Sequence, residues 1–91
     1  MRSIYETDYQ RLLAALKKAR RERRVTQKAI ADALRRPQSF VFKYESGERR
    51  LDVAEMVHIA RLLGLEPSKL VRDMAKDVAP LPSDRKYAFR G

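Results

Sequence analysis

Cysteine is absent from the chain. That excludes disulfides and thiolate metal sites and makes a reducing cytoplasm the expected setting. Histidine occurs once, as His58, among apolar neighbours where a half-exposed ring is a far commoner outcome than a ligand. There is no Gly-rich phosphate loop and no cluster of carboxylates, so no general acid–base pair or metal set stands at usable spacing. Catalytic residues, metals and cofactors are therefore not expected. Long apolar runs are also missing: nothing approaches the roughly 20 apolar residues of a membrane span. The opening Met1-Arg2-Ser3-Ile4-Tyr5 lacks the apolar stretch of a signal peptide. Repeats and low-complexity tracts are missing too, and 91 residues leave room for one core and a tail.

What the chain holds in excess is positive charge, a net +9 that is unevenly spread. Residues 1–16 balance two basic against two acidic groups. Residues 17–50 carry twelve basic groups against four acidic, and residues 52–91 carry seven against six. A field concentrated in one third of the chain attracts polyanions and speeds their encounter. Charge alone names a class of partner: nucleic acid answers to it, and so do acidic proteins and lipid headgroups.

Hydrophobic spacing predicts an all-α chain of five short helices. Thr7 with Gln10 fits a capping box, and Tyr9, Leu12, Leu13, Leu16 and Ala19 recur at helical spacing, predicting a first helix over about 8–23. Its other face is the cluster Lys17, Lys18, Arg21 and Arg24. Thr26 is a good N-cap for a helix over 27–34 that buries Ile30, Ala31 and Leu34. Pro37 suits the first turn of a third helix running to about Ser46, where Gly47 supplies a left-handed stop. Asp52 with Glu55 is a second capping box, with Leu51 placed to staple onto Met56, and opens a helix over about 53–63. Gly64 ends it. Pro67 starts a fifth helix to about 76 with Leu70, Val71 and Met74 on one face, either core or dimer interface. The prolines of Ala79-Pro80-Leu81-Pro82 cannot continue a helix. The division expected is thus a domain over 1–78 and an extended or disordered tail over 79–91.

The informative element is the pair of helices 27–34 and 37–46, separated only by Arg35-Arg36. So tight a link forces a large angle between them, the helix-turn-helix geometry in which the second helix enters a major groove. Stepping about 100° per residue along the third helix puts Phe40, Val41 and Tyr44 on one side, where they can meet the core. Gln38, Ser39, Phe42 and Lys43 fall within one arc on the other side. A long amide, a hydroxyl, an ammonium and an aromatic ring can bond base edges, donate to phosphates and cover a thymine methyl. A bland surface helix would seldom place a phenylalanine inside its polar arc.

The run from Leu12 to Val71 resembles the Cro and phage-repressor type of helix-turn-helix domain, the XRE family. The matching strings are Ala19-Arg20-Arg21-Glu22-Arg23, Val25-Thr26-Gln27-Lys28-Ala29-Ile30-Ala31, Pro37 to Arg50, and Ile59-Ala60-Arg61-Leu62-Leu63-Gly64-Leu65. The resemblance implies a compact five-helix repressor-like fold. It also implies that Gln38 and Ser39 read bases, and that Lys43 makes a further base or phosphate contact one turn on. Gln27 matches a residue that bonds a DNA phosphate and braces the first residue of helix 3. Arg20 and Glu45 match a buried ion pair tying helix 1 to the end of helix 3, and Ser46 to Arg50 match a loop resting on the sugar-phosphate backbone. Two positions depart from the pattern: Arg35 stands where many members have glycine, and Phe42 where a small or polar residue is usual.

The expectation drawn from these readings is sequence-specific binding of double-stranded DNA by a homodimeric, cytoplasmic and nucleoid-associated regulator, a bacterial or phage repressor, on a pseudo-palindromic operator. Base contacts fall to Gln38, Ser39, Phe42 and Lys43. Phosphate contacts fall to Gln27, Lys28, Arg35, Arg36, Ser46, Arg49 and Arg50. The alternative is a protein of the antitoxin or anti-activator type, whose main task is binding a protein partner and whose DNA binding serves autoregulation. The motive for it is the tail, where Leu81, Tyr87 and Phe89 are apolar anchors in a polar segment.

Overall fold

In a computed structural model of the chain, which describes residues 4–76, the described residues form five α-helices and no strand. They are α1 (Ile4–Glu22), α2 (Gln27–Leu34), α3 (Gln38–Ser46), α4 (Val53–Leu62) and α5 (Pro67–Ala75). The tail expected over 79–91, with Leu81, Tyr87 and Phe89, lies outside the described residues, as does the 78/79 boundary.

One core joins all five helices. Leu12, Leu13, Leu16 and Ala19 of α1, Ile30 and Ala31 of α2, Phe40, Val41 and Tyr44 of α3, Met56, Ile59 and Ala60 of α4, Leu63 and Leu70 are buried together. The 3-and-4 spacing within each helix turns these residues to one side, so each helix contributes a stripe and none is apolar all round. Helix α1 packs on α3 and α5, α2 on α3 and α4, and α4 on α5. Tyr44, Val41, Ile59 and Leu63 are among the most deeply buried side chains, which fixes α3 to the centre by its inner side.

Several boundaries differ from the sequence-based expectation. Helix α1 begins at Ile4 rather than near residue 8, with Thr7 exposed inside it. A Thr/Gln pair at capping spacing carries no signal that a helix cannot already be running through it. Pro37 is the N-cap of α3 rather than its first helical residue; it makes no side-chain cap bond, and its φ of −62° with an extended ψ of 152° feeds the helix from outside. Of the α5 face expected to be core or dimer interface, Leu70 is buried and Met74 half-buried, while Val71 is 44% exposed.

The ends of the helices set the geometry of the central pair. Thr26 accepts a bond from the Ala29 N–H at 3.0 Å, closing the N-terminus of α2. At the other end Arg35 takes the left-handed conformation, φ 56° and ψ 45°, with its N–H on Asp32 O at 3.1 Å and the Arg36 N–H on Ala31 O at 2.9 Å. These bonds close a Schellman motif, which satisfies the last carbonyls of α2 and reverses the chain within two residues. Helix α1 ends in the same manner through Arg24, φ 56°, with Val25 N–H on Arg20 O at 3.0 Å. The Asp52/Glu55 capping box is formed as the sequence predicts.

Candidate nucleic-acid interface

Burial of one side of α3 decides what the other side presents. Phe40, Val41 and Tyr44 are inside, with the Phe40 and Tyr44 rings in an edge contact at 5.5 Å between centroids. Burial pushes the Tyr44 phenol well above its usual range, so it stays neutral. Gln38, Ser39, Phe42 and Lys43 are all exposed. Phe42 is 56% exposed, so its ring does not fold back onto the core of the monomer.

Behind this strip a bonded brace holds the end of α3 to α1. Arg20 grips Glu45 with two bonds, Nε to Oε2 at 2.6 Å and Nη2 to Oε1 at 3.0 Å, and donates through Nη1 to the Val25 carbonyl at 2.9 Å. The two side chains are 12% and 3% exposed. The bond to Glu45 raises the Arg20 pKa against the opposing effect of desolvation. The ion pair implied by the family resemblance is therefore formed. The brace implied for Gln27 reaches a different residue: its Nε2 donates to Glu45 Oε1 at 3.0 Å, at the far end of α3 from Gln38. The buried carboxylate offers an acceptor within reach of the α2 N-terminus, and the amide satisfies it.

Lys17, Arg20 and Arg21 of α1, Gln27 of α2, and Phe42, Glu45 and Ser46 of α3 line one open depression of about 320 Å³. Lys17 and Arg21 were not among the contact residues expected from the sequence. The structure sets them beside the exposed ring of α3. The signal was present in the basic cluster on the outer face of α1, but periodicity alone does not say which neighbour a solvent-facing stripe adjoins.

The other expected phosphate ligands differ in their surroundings. Lys28 is exposed and paired with the equally exposed Asp32 at 2.9 Å, an arrangement worth little in water and readily exchanged for another anion. Arg35 is exposed at the turn, and Ser46 donates to the Lys43 carbonyl at 3.0 Å and to Glu48 at 3.2 Å. Arg50 lies over the Tyr9 ring at 4.7 Å, while the Tyr9 hydroxyl accepts the Leu51 N–H at 2.9 Å and ties the loop to α1. Arg36 and Arg49 converge on one carboxylate. Arg49 donates to Glu55 Oε1 at 2.9 Å and Oε2 at 3.0 Å, and Arg36 to Oε2 at 3.0 Å. Both guanidiniums also stand over the Phe40 ring, at 4.6 and 4.7 Å. The bond from Arg49, then that from the Asp52 N–H, lower the Glu55 pKa to about 2.

Among the described residues no group of three or more His, Cys, Asp or Glu side chains is placed to hold a metal ion. No helix there is long and apolar enough to cross a membrane.

Comparison with known proteins gives two matches that agree. The family profile described as Helix-turn-helix matches residues 16–70. A solved structure, an XRE-family like protein from Pseudomonas syringae pv. tomato str. DC3000, superposes with a TM-score of 0.77 at 42% identity, covering 84% of this chain and 93% of that one. No curated protein matches the chain.

Proposed function

This chain belongs to the XRE family of helix-turn-helix DNA-binding regulators, and from that premise we propose that it represses transcription as a dimer on a pseudo-palindromic operator. It is a regulator that binds DNA sequence-specifically and not an enzyme. In this reading α3 lies in the major groove, with Gln38 and Ser39 in its first turn facing base edges. Phe42 covers a thymine methyl, and Lys43 reaches a base or a phosphate one turn later. The observation that carries the reading is the exposure of these four residues on a helix whose opposite side is buried.

Backbone contacts come from Lys28, Arg35, Arg36, Ser46, Arg49 and Arg50, with Gln27 at the start of α2. To these we add Lys17 and Arg21, which share the depression with Phe42 and Ser46. Such cations position the protein and supply affinity without carrying sequence information. Pairing of two chains is supported by the outer apolar residues of the last two helices, Leu62 at 45% and Val71 at 44% exposure. A dimer presents two copies of α3, and its half-sites would stand one helical turn, about 34 Å, apart. Absence of cysteine fits work in a reducing cytoplasm, at the nucleoid.

Selection of bound fragments from random duplexes, at two salt concentrations, tests the proposal. A two-fold related motif that survives at the higher salt supports it. Recovery of unrelated sequences at both concentrations contradicts it.

A further inference from the structure

Glu55, Arg36 and Arg49 form a bonded triad beside α3. Its three members come from different parts of the fold: Arg36 from the turn before α3, Arg49 from the loop after it, and Glu55 from the first turn of α4. The two arginines thus bracket α3 in sequence and are drawn to one point behind it. Glu55 uses both oxygens on them, and Oε1 also accepts the Asp52 N–H at 3.0 Å. Its side chain is 14% exposed, against 44% for Arg36 and 38% for Arg49. The carboxylate is sheltered while both cations still reach solvent. A guanidinium has five donors in a planar fork, so each arginine can hold Glu55 and retain donors for an anion.

Resting on the DNA-binding reading above, we infer that Glu55 is a specificity-determining positioning residue: it fixes Arg36 and Arg49, which flank the reading helix in sequence, together at one point beside it and limits their sequence-independent grip on phosphate. One negative charge shared by two cations leaves the triad at +1 rather than +2. An untethered arginine can follow any phosphate in its reach. A tethered one makes its contact only when α3 sits at the depth and angle that correct base contacts require. Tethering therefore weakens binding to arbitrary duplexes more than binding to the operator, and the ratio of the two is the quantity that matters for site selection. Phe40 makes the tether rigid, because both guanidiniums lie against its ring, which is itself held in the core.

The experiment compares the full chain with Glu55→Gln and Glu48→Gln, using an operator duplex obtained by selection and a scrambled duplex of equal length. Glutamine at 55 can still close the capping box, and a thermal melt checks that each variant folds. Glu48 is exposed in the same loop and bonded only to Ser46 among the described residues, so its neutralisation measures the general effect of one charge. For Glu48→Gln both affinities rise in proportion and the ratio holds. For Glu55→Gln the scrambled duplex gains roughly three- to tenfold at moderate salt. Its log K against log [salt] slope steepens by about one to two, as one or two more phosphates are engaged, and the operator-to-scrambled ratio falls about tenfold. If Glu55→Gln behaves as Glu48→Gln does, or shifts only the melting temperature, the inference is overturned while the DNA-binding reading stands. A wild-type ratio near one would remove the reading itself.

Discussion

Arg20 and Glu45 do two jobs with one pair of side chains: they close the end of α1 on Val25 and hold the last turn of α3. Removing one partner leaves the other buried and uncompensated, which costs about 3–5 kcal/mol for a buried pair. Glu45→Leu is therefore expected to lower the unfolding free energy by about 3 kcal/mol in urea titration, and more than any single substitution in the exposed arc of α3. Glu55 gives a second residue-scale expectation, in pH. Its folded pKa is depressed to about 2 from 4.5, so its stabilisation is complete above about pH 4.5 and is lost as pH falls through about 2. The gap in unfolding free energy between wild type and Glu55→Gln should be constant near neutrality and shrink across that window. A gap independent of pH would mean that the ion pairs do not stabilise the fold. The identities of Arg20 and Glu45 as a pair were legible in the sequence through the family resemblance. The pairing of Arg36 and Arg49 through Glu55 was not, because its members lie 19 and 6 residues from Glu55 and meet only once α4 has packed beneath α2.

At the level of helices, the span of α2, the body of α3 and the Asp52/Glu55 cap followed from local chemistry, since caps and left-handed stops act within a few residues. The start of α1 did not, because Thr7 with Gln10 has cap spacing whether or not a helix already runs through it. How the α5 stripe divides between the core and the outside was equally hidden: which side of a short amphipathic helix is covered depends on where its neighbours lie. Arg35 and Arg24 mark a local conflict, as both occupy the left-handed region at φ 56° where glycine is favoured. The left-handed conformation costs a non-glycine residue about 1–2 kcal/mol, partly offset by glycine's greater freedom when unfolded. Arg35→Gly is thus expected to raise stability by about 0.5–1 kcal/mol in urea titration while weakening binding to scrambled and operator duplexes alike. A loss of stability would show that the Arg35 side chain has a packing role beyond its backbone cap.

Over the whole molecule, charge and shape divide the labour. The basic third of the chain folds into α2, α3 and their flanks, so the strongest field surrounds the helix that bears Gln38 and Ser39. The sequence disclosed that concentration but not its arrangement; packing of α1 against α3 brings Lys17 and Arg21 beside Phe42. Apart from Phe42, the large apolar residues left outside among the described residues are Val53, Leu62 and Val71, on α4 and α5, whereas the reading face belongs to α3, so pairing through them need not cover it. If those residues join two chains, Val71→Glu should convert a sedimenting dimer to monomer and reduce operator affinity steeply, with little change on a duplex bearing a single half-site. An unchanged sedimentation coefficient would place the pairing surface elsewhere.

The central claim is that the exposed side of α3 reads bases, and Gln38→Ala measures it most directly. Binding of this variant and of wild type is compared on the selected operator and on operators changed one base pair at a time. The account predicts a loss of preference of roughly 1–3 kcal/mol confined to one base pair in each half-site, with affinity for scrambled duplex nearly unchanged. Equal losses on operator and scrambled duplex, with every base preference intact, would contradict it.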